Sequence, residues 1–247
     1  MLKKEQDSNM QNSDYLISEN PMKALVFFAL PMIIGNLFQQ VYTMADSAIV
    51  GRLVGENALA AVGAAYSLTN IFICIAIGGG IGASVIVSQY FGRGSYGKLK
   101  KAVYTALISF LLISGLLGGF GLLFSRKIMV ALNTPAEVLD MSVTYLKIYF
   151  LGLPFLFMYN VLSSMFNALG KSRIPLYFLI FSSIFNIVLD WIFVADFHLD
   201  VAGVAWATLI AQGVSVVGSF TVLLKELQTM EGNADGIFAK EELLPMT

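Results

Sequence analysis

The chain has 247 residues, 57% hydrophobic and only 13% charged, with a mean hydropathy of +0.76. That is more apolar side chain than a water-soluble core of this size absorbs, and it leaves an integral membrane protein as the class that fits. A formal net charge of −1, with no basic run, excludes nucleic acid as a partner. The single cysteine, Cys74, can form no intrachain disulfide.

Residues 1–23 are polar and mixed in charge, and are expected to form a cytoplasmic amino-terminal tail. The apolar run that follows starts too late and runs too long for a cleaved signal peptide. Crossing hydrocarbon takes about 20 helical residues, and six runs qualify, near 24–50, 58–90, 102–124, 142–168, 174–194 and 203–224. They are continuous, which excludes the alternating segments of a membrane barrel. The expectation is an all-α integral membrane protein, a six-transmembrane-helix bundle over 24–224, followed by a polar tail at 225–247. The first two runs exceed the span and should tilt, kink or protrude. Pro31 and Gly78–Gly80 are natural places for that irregularity.

Basic residues in the connections set the orientation. Lys3, Lys4, Lys23, Arg93, Lys98, Lys100, Lys101, Lys171, Arg173, Lys225 and Lys240 fall on one side, against Arg52, Arg126 and Lys127 on the other. Both termini are therefore expected in the cytoplasm of a multi-pass plasma-membrane protein.

An acid inside an apolar membrane segment is costly and reads as functional until shown otherwise. Two such acids stand out, Asp46 and Asp190, with Asn186 one turn before Asp190 and Thr208 in the next run. Counted from the ends of their runs at 1.5 Å per residue, Asp46, Asp190 and Thr208 share one level, roughly 6 to 8 Å inside the outer boundary. Polar stripes recur at helical spacing: Asn36, Gln39, Gln40, Thr43 and Asp46; Asn160, Ser163, Ser164 and Asn167; Ser182, Ser183, Asn186 and Asp190; Thr208, Gln212, Ser215 and Ser219. Such residues can simply glue helices together. Four stripes with two carboxylates point further, to a water-filled or ion-binding interior, with Asn36, Gln39, Gln40, Thr43, Asn160, Ser164, Asn167, Ser183 and Gln212 as candidate lining residues.

Three stretches carry a resemblance to a known family. They are Leu30 to Gly63, with Pro31 and Asp46; Gly82 to Gly94; and Asn186 to Asp190 continued by Gly203 to Thr208. Over residues 20–225 the chain resembles the amino-terminal lobe of the multidrug and toxic compound extrusion transporters. The resemblance implies antiport of small organic, often cationic and amphipathic compounds against H+ or Na+, with no cofactor. It further implies that Asp46, Asn186, Asp190 and Thr208 hold the coupling cation and that Pro31 lets the first helix bend. Members have two six-helix lobes, twelve helices in all, with the substrate cavity between them, whereas this chain carries one. It is expected to be a truncated lobe, or a half-transporter that pairs with a second lobe or with its own copy. An inactive membrane fragment and a lipid-linked oligosaccharide flippase are the alternatives; the second would favour basic groups in the bundle, for which Lys147 is the candidate.

If Asp46 and Asp190 meet, they would titrate as a pair and share a proton, or together with Asn186 and Thr208 offer oxygens to Na+. His198 lies between Asp196 and Asp200 in an outer loop and reads as solvated. The glycines near 78–82 lack the spacing of a phosphate loop. The aromatic residues, Tyr145, Tyr149 and Phe185 among them, belong mostly to lipid or helix contacts, and Tyr177 and Trp191 fit interfacial anchors. Without a metal cluster or a nucleophile beside a base, an enzyme is not expected.

Overall fold

The computed structural model describes residues 21–230; residues 1–20 and 231–247, and with them most of both expected tails, lie outside. All described secondary structure is helical: α1 (Pro21–Ile49), α2 (Glu56–Gly92), α3 (Tyr96–Ala131), α4 (Ala136–Ala168), α5 (Arg173–Trp191) and α6 (Asp200–Thr229), with π-helical turns at Val50–Val54 and Ile192–Asp196. Helices α2 to α6, with α5 extended through its π turn to Asp196, are each long and apolar enough to cross a membrane. They also overrun the apolar runs that announce them, because polar and charged residues such as Lys98 and Lys100 continue the helices past the hydrocarbon.

The helices end in two ways. Helices α2, α3 and α4 close with a left-handed residue, Gly94 (φ 66°), Asn133 (φ 56°) and Gly170 (φ 74°). In each, the next residue bonds back to a carbonyl five positions earlier: Ser95 N to Tyr90 O, Thr134 N to Met129 O and Lys171 N to Phe166 O. This pairing uses carbonyls that would otherwise be orphaned and reverses the chain within a few residues. Helices α1 and α5 instead unwind into the π turns, and Gly55 N and Phe197 N bond to Val50 O and Ile192 O.

Cross-helix contacts fix the register. Ser142 Oγ and Tyr149 Oη of α4 donate to Ala61 O and Thr69 O of α2, which pairs the two in parallel. Gly152 and Gly213 set α4 parallel to α6 through Leu209 and Phe155, and Gly35 against Leu176 and Leu179, with Asp46 beside Asp190, sets α1 parallel to α5. Helix α4 is the centre of the bundle, with Phe150, Phe157 and Phe166 buried between α2, α3 and α6. In lipid no hydrophobic force draws helices together, so close packing at small residues does. A Cβ at Gly121 would sit 2.2 Å from the Phe150 ring, and one at Gly118 2.7 Å from Phe150 O.

The near end of the bundle holds Pro21, the α2–α3 and α4–α5 connections and Met230; the far end holds both π turns and the α3–α4 connection. At the near end Lys171 Nζ pairs with Glu226 Oε2, and Lys100 Nζ donates to Met230 O, so two lysines hold the end of α6. The irregularity expected at Gly78–Gly80 is absent, since α2 stays α-helical throughout. Those glycines serve close approach: a Cβ at Gly79 would meet the Phe110 ring at 2.3 Å and one at Gly80 would meet Ser164 Oγ at 2.7 Å. Helix α1 likewise runs unbroken through Pro31. The departures from α geometry fall instead at the two π turns.

Candidate functional site

The parallel pairing of α1 with α5 brings together the two acids. Asp46 and Asp190 lie with their carboxyl groups within hydrogen-bonding reach of each other. Asp190 is 0% and Asn186 2% exposed. One oxygen of each acid, Asp46 Oδ1 and Asp190 Oδ1, is buried without a protein hydrogen-bond partner. Two carboxylates this close in a poorly solvated bundle cannot both stay charged unless a proton or cation stands between them.

Asn186 ties the pair to α6. Its amide is placed by its neighbours: Nδ2 donates to Asp190 Oδ2 at 3.1 Å and Oδ1 accepts from Thr208 N at 3.1 Å. The opposite orientation would leave a single long bond of 3.3 Å to Thr208 Oγ1. Thr208 Oγ1 itself donates to Val204 O at 3.1 Å. All four residues singled out by the sequence, Asp46, Asn186, Asp190 and Thr208, therefore converge where α1, α5 and α6 meet.

Two tyrosines missed as site residues complete the cluster. Tyr42 lies within hydrogen-bonding reach of the Thr208 side chain and close to both acids, and Tyr145 of α4 faces both acids. The signal for Tyr42 was its position one turn before Asp46, about 40° from it around the helix. Tyr145 was hidden in an aromatic-rich segment. Between α4 and α6 a small cleft of about 30 Å³ opens beside the site, lined by Tyr145, Tyr149, Gly152, Thr208, Leu209 and Gln212 among others. It holds about a water molecule or two.

The other candidate lining residues fall elsewhere. Of them Gln212 alone lines this cleft. Asn36, Gln39, Gln40 and Thr43 are exposed on α1, and Thr43 Oγ1 donates to Gln39 O. Asp46, one turn after Tyr42, instead meets Asp190 of α5. Asn160 Nδ2 donates to Leu156 O, and Ser164 packs at Gly80, so the α4 stripe is a helix contact with α2. Asn167 Oδ1 is buried without a partner, and Ser183, buried, donates to Leu179 O. Lys147 is exposed on α4 and lines no part of the cleft. His198 and Trp191 are exposed, as is Tyr177.

Membrane-length helices packed around a buried acid pair define a multi-pass membrane protein of the transporter class. The family model described as MatE matches residues 31–192, and the chain belongs to that family, whose members are transporters and not enzymes. Relatives include a "Probable multidrug resistance protein YpnP" of Bacillus subtilis, 32% identical over 212 residues, covering 84% of this chain and 47% of the relative. "Multidrug export protein MepA" of Staphylococcus haemolyticus is 28% identical over 209 residues, covering 85% of this chain and 46% of the relative. Among solved structures, a MATE protein in the bent conformation superposes with a TM-score of 0.84 at 25% identity, over 94% of this chain and 52% of that one. An outward-facing multidrug resistance MATE transporter gives 0.85, also at 25% identity, over 94% and 52%. The chain thus spans about half the length of the relatives it matches, as one lobe does.

Proposed function

We propose that this chain is one lobe of a cation-coupled exporter of small organic compounds, with Asp46, Asp190, Asn186 and Thr208 holding the coupling H+ or Na+. The observation that carries this reading is the buried meeting of Asp46 with Asp190, each with an oxygen left free of protein partners. Carboxylate, amide and hydroxyl oxygens are a suitable donor set for a hard cation, and the shared hydrogen bond suits a proton equally. The far end, poor in basic residues, is the outer side in this reading. Multidrug export comes from the relatives, which are named for multidrug resistance and export, and cationic, amphipathic substrates suit the exposed polar stripe of α1.

The mechanism follows from the charge. A cation between the acids removes their repulsion and lets α1 pack against α5 and α6; its loss pushes α1 away. Pro31 removes one main-chain hydrogen bond from α1 and gives that helix a place to flex. If the organic substrate binds the separated arrangement more tightly, each ligand displaces the other, because a ligand shifts an equilibrium only by its differential affinity. The second lobe, or a second copy of this chain, covers the exposed stripe Asn36, Gln39, Gln40 and Thr43.

The test uses the full chain, purified and reconstituted. Thermal stability is followed while Na+ is raised at alkaline pH, and while pH is lowered without Na+. One of the two should stabilise the wild type, and Asp46→Asn and Asp190→Asn should each lose that response while still inserting. In vesicles that also supply a second lobe, both variants should lose cation-driven uptake of a fluorescent organic cation. Full cation response in both variants would refute the assignment.

A further inference from the structure

We propose that Val50, Val194 and Val201 form an apolar seal over the acid pair at the far end, so that ions do not reach Asp46 and Asp190 directly from that end. This rests on the reading of the pair as an exchangeable cation site. The positions are coordinated across helices: Val50, just past the end of α1, stands one turn beyond Asp46, Val194 one turn beyond Asp190, and Val201 two turns beyond Thr208 on α6. They belong to one buried apolar cluster with Ala58 and Val204, separate from the main core and backed by Val54, Val62 and Met141. Val50, Val194 and Val201 are 1%, 5% and 2% exposed. Such burial is notable so close to a helix end, because Val201 directly follows the exposed Asp200.

The π turns account for it. Val50 opens the one at Val50–Val54, and Val194 lies inside the one at Ile192–Asp196. Both widen their helices at the level where the cluster closes, and π turns concentrate at functional sites. On the opposite side of the acids, the near side, polar groups continue: Tyr42, Asn186 and Thr208 lie about one turn nearer, and the cleft with Gln212 follows. A hydrated cation crossing the valine layer, about one helical turn thick, would have to shed its water against hydrocarbon with no oxygen to replace it. The acids therefore do not open directly to the far end, and ions reach them from another side of the lobe.

The test is chemical access. The full chain, with Cys74 untouched, is placed in vesicles and treated from outside with a water-soluble carbodiimide and an amine. Modification of Asp190 is read by peptide mass relative to Asp200, which is exposed at the same end and so reports only correctly oriented molecules. In the wild type Asp190 should react far more slowly than Asp200. Val194→Ser and Val201→Ser should raise the ratio about tenfold, and Leu209→Ser, on the cleft side, should leave it unchanged. A lipid-soluble carbodiimide should label Asp190 equally in wild type and variants, which shows that they are folded. Wild-type Asp190 reacting like Asp200, seal variants without effect, or Leu209→Ser acting as they do would each overturn the seal. Protection of Asp190 from the lipid-soluble reagent by Na+, or its loss at alkaline pH, reports the cation reading separately. If neither is seen while the seal variants accelerate access, the seal stands and the cation reading falls.

Discussion

Asn186→Ala separates what the site contributes to folding from what it contributes to binding. The substitution removes two hydrogen bonds, to Asp190 Oδ2 and from Thr208 N, each 3.1 Å long. In a water-soluble protein a bond to a charged acceptor is worth about 1.5–3 kcal/mol and a neutral one about 1 kcal/mol, which would suggest a loss of about 2.5–4 kcal/mol. A membrane lobe should lose less. Asn186 and Asp190 are four apart on α5, so their bond survives when the helices separate and drops out of the comparison. Only the contact with α6 is lost on unpacking, and inter-helical bonds in membranes average about 0.6 kcal/mol with a maximum near 1.7. The expected destabilisation is therefore about 1 kcal/mol, read by unfolding the reconstituted chain with a denaturing detergent. Cation binding should suffer more. Asp190 then lacks its fixed donor and one neutral oxygen ligand is gone, so the cation concentration that gives half-maximal thermal stabilisation should rise at least about tenfold, and stabilisation at a fixed concentration should fall by about 1.4 kcal/mol while that concentration still exceeds the new dissociation constant. A stability loss above about 3 kcal/mol, or an unchanged cation midpoint, would refute this division.

Glycines of α3 provide an internally controlled packing test. Gly118→Ala and Gly121→Ala place a methyl group against Phe150 O and the buried Phe150 ring and should cost about 1–3 kcal/mol, whereas Gly115→Ala and Gly119→Ala, with nothing within 4 Å, should stay within about 0.5 kcal/mol; equal losses at all four would show that helix flexibility and not packing is at stake. At the near end, Lys171 and Glu226 keep only 18% of each side chain exposed, so Lys171→Met and Glu226→Gln should couple by about 1 kcal/mol in a double-mutant cycle and still do so at high salt. Additive losses would mean that the pair contributes nothing beyond its separate contacts.

The helices and the acid pair were legible in the sequence because lipid makes both conspicuous. An apolar run long enough to span announces a helix, and a carboxylate within it announces a partner. Equal depth then linked Asp46 to Asp190 across 144 positions of chain, the same spacing that relates Gly35 to Leu179. Rotation about each helix was less legible. Residues three apart differ by about 60° around the axis, enough to leave Thr43 on the lobe surface while Asp46 turns inward, and periodicity alone did not say which member of the α1 stripe meets the second acid. Serine and asparagine on α4 gave the same periodic signal whether facing water or a glycine on α2, since both uses need small polar residues at helical spacing. The π turns left no trace in composition, because Val-Gly-Arg-Leu-Val and Ile-Phe-Val-Ala-Asp are ordinary helix ends by propensity.

The placement of these parts divides the transport cycle between what one lobe can do and what it cannot. Every group around Asp46 and Asp190 comes from α1, α4, α5 or α6, so the proposed cation site is complete within this chain. The cleft beside it, at about 30 Å³, is too small for an organic substrate, and the polar face of α1 points outward from the bundle. Cation binding should therefore persist in the lobe alone, whereas this cleft would not hold the proposed organic substrate. Because Tyr42 and Asp46 share α1 with the exposed Gln39 and Thr43, any movement of that helix that relieves the acids also re-aims the face offered to the substrate. In the proposed cycle α1 would thus couple the two ligands without a relay of side chains between them, with a coupling energy that depends on how tightly α1 packs on α5 at Gly35, Leu176 and Leu179.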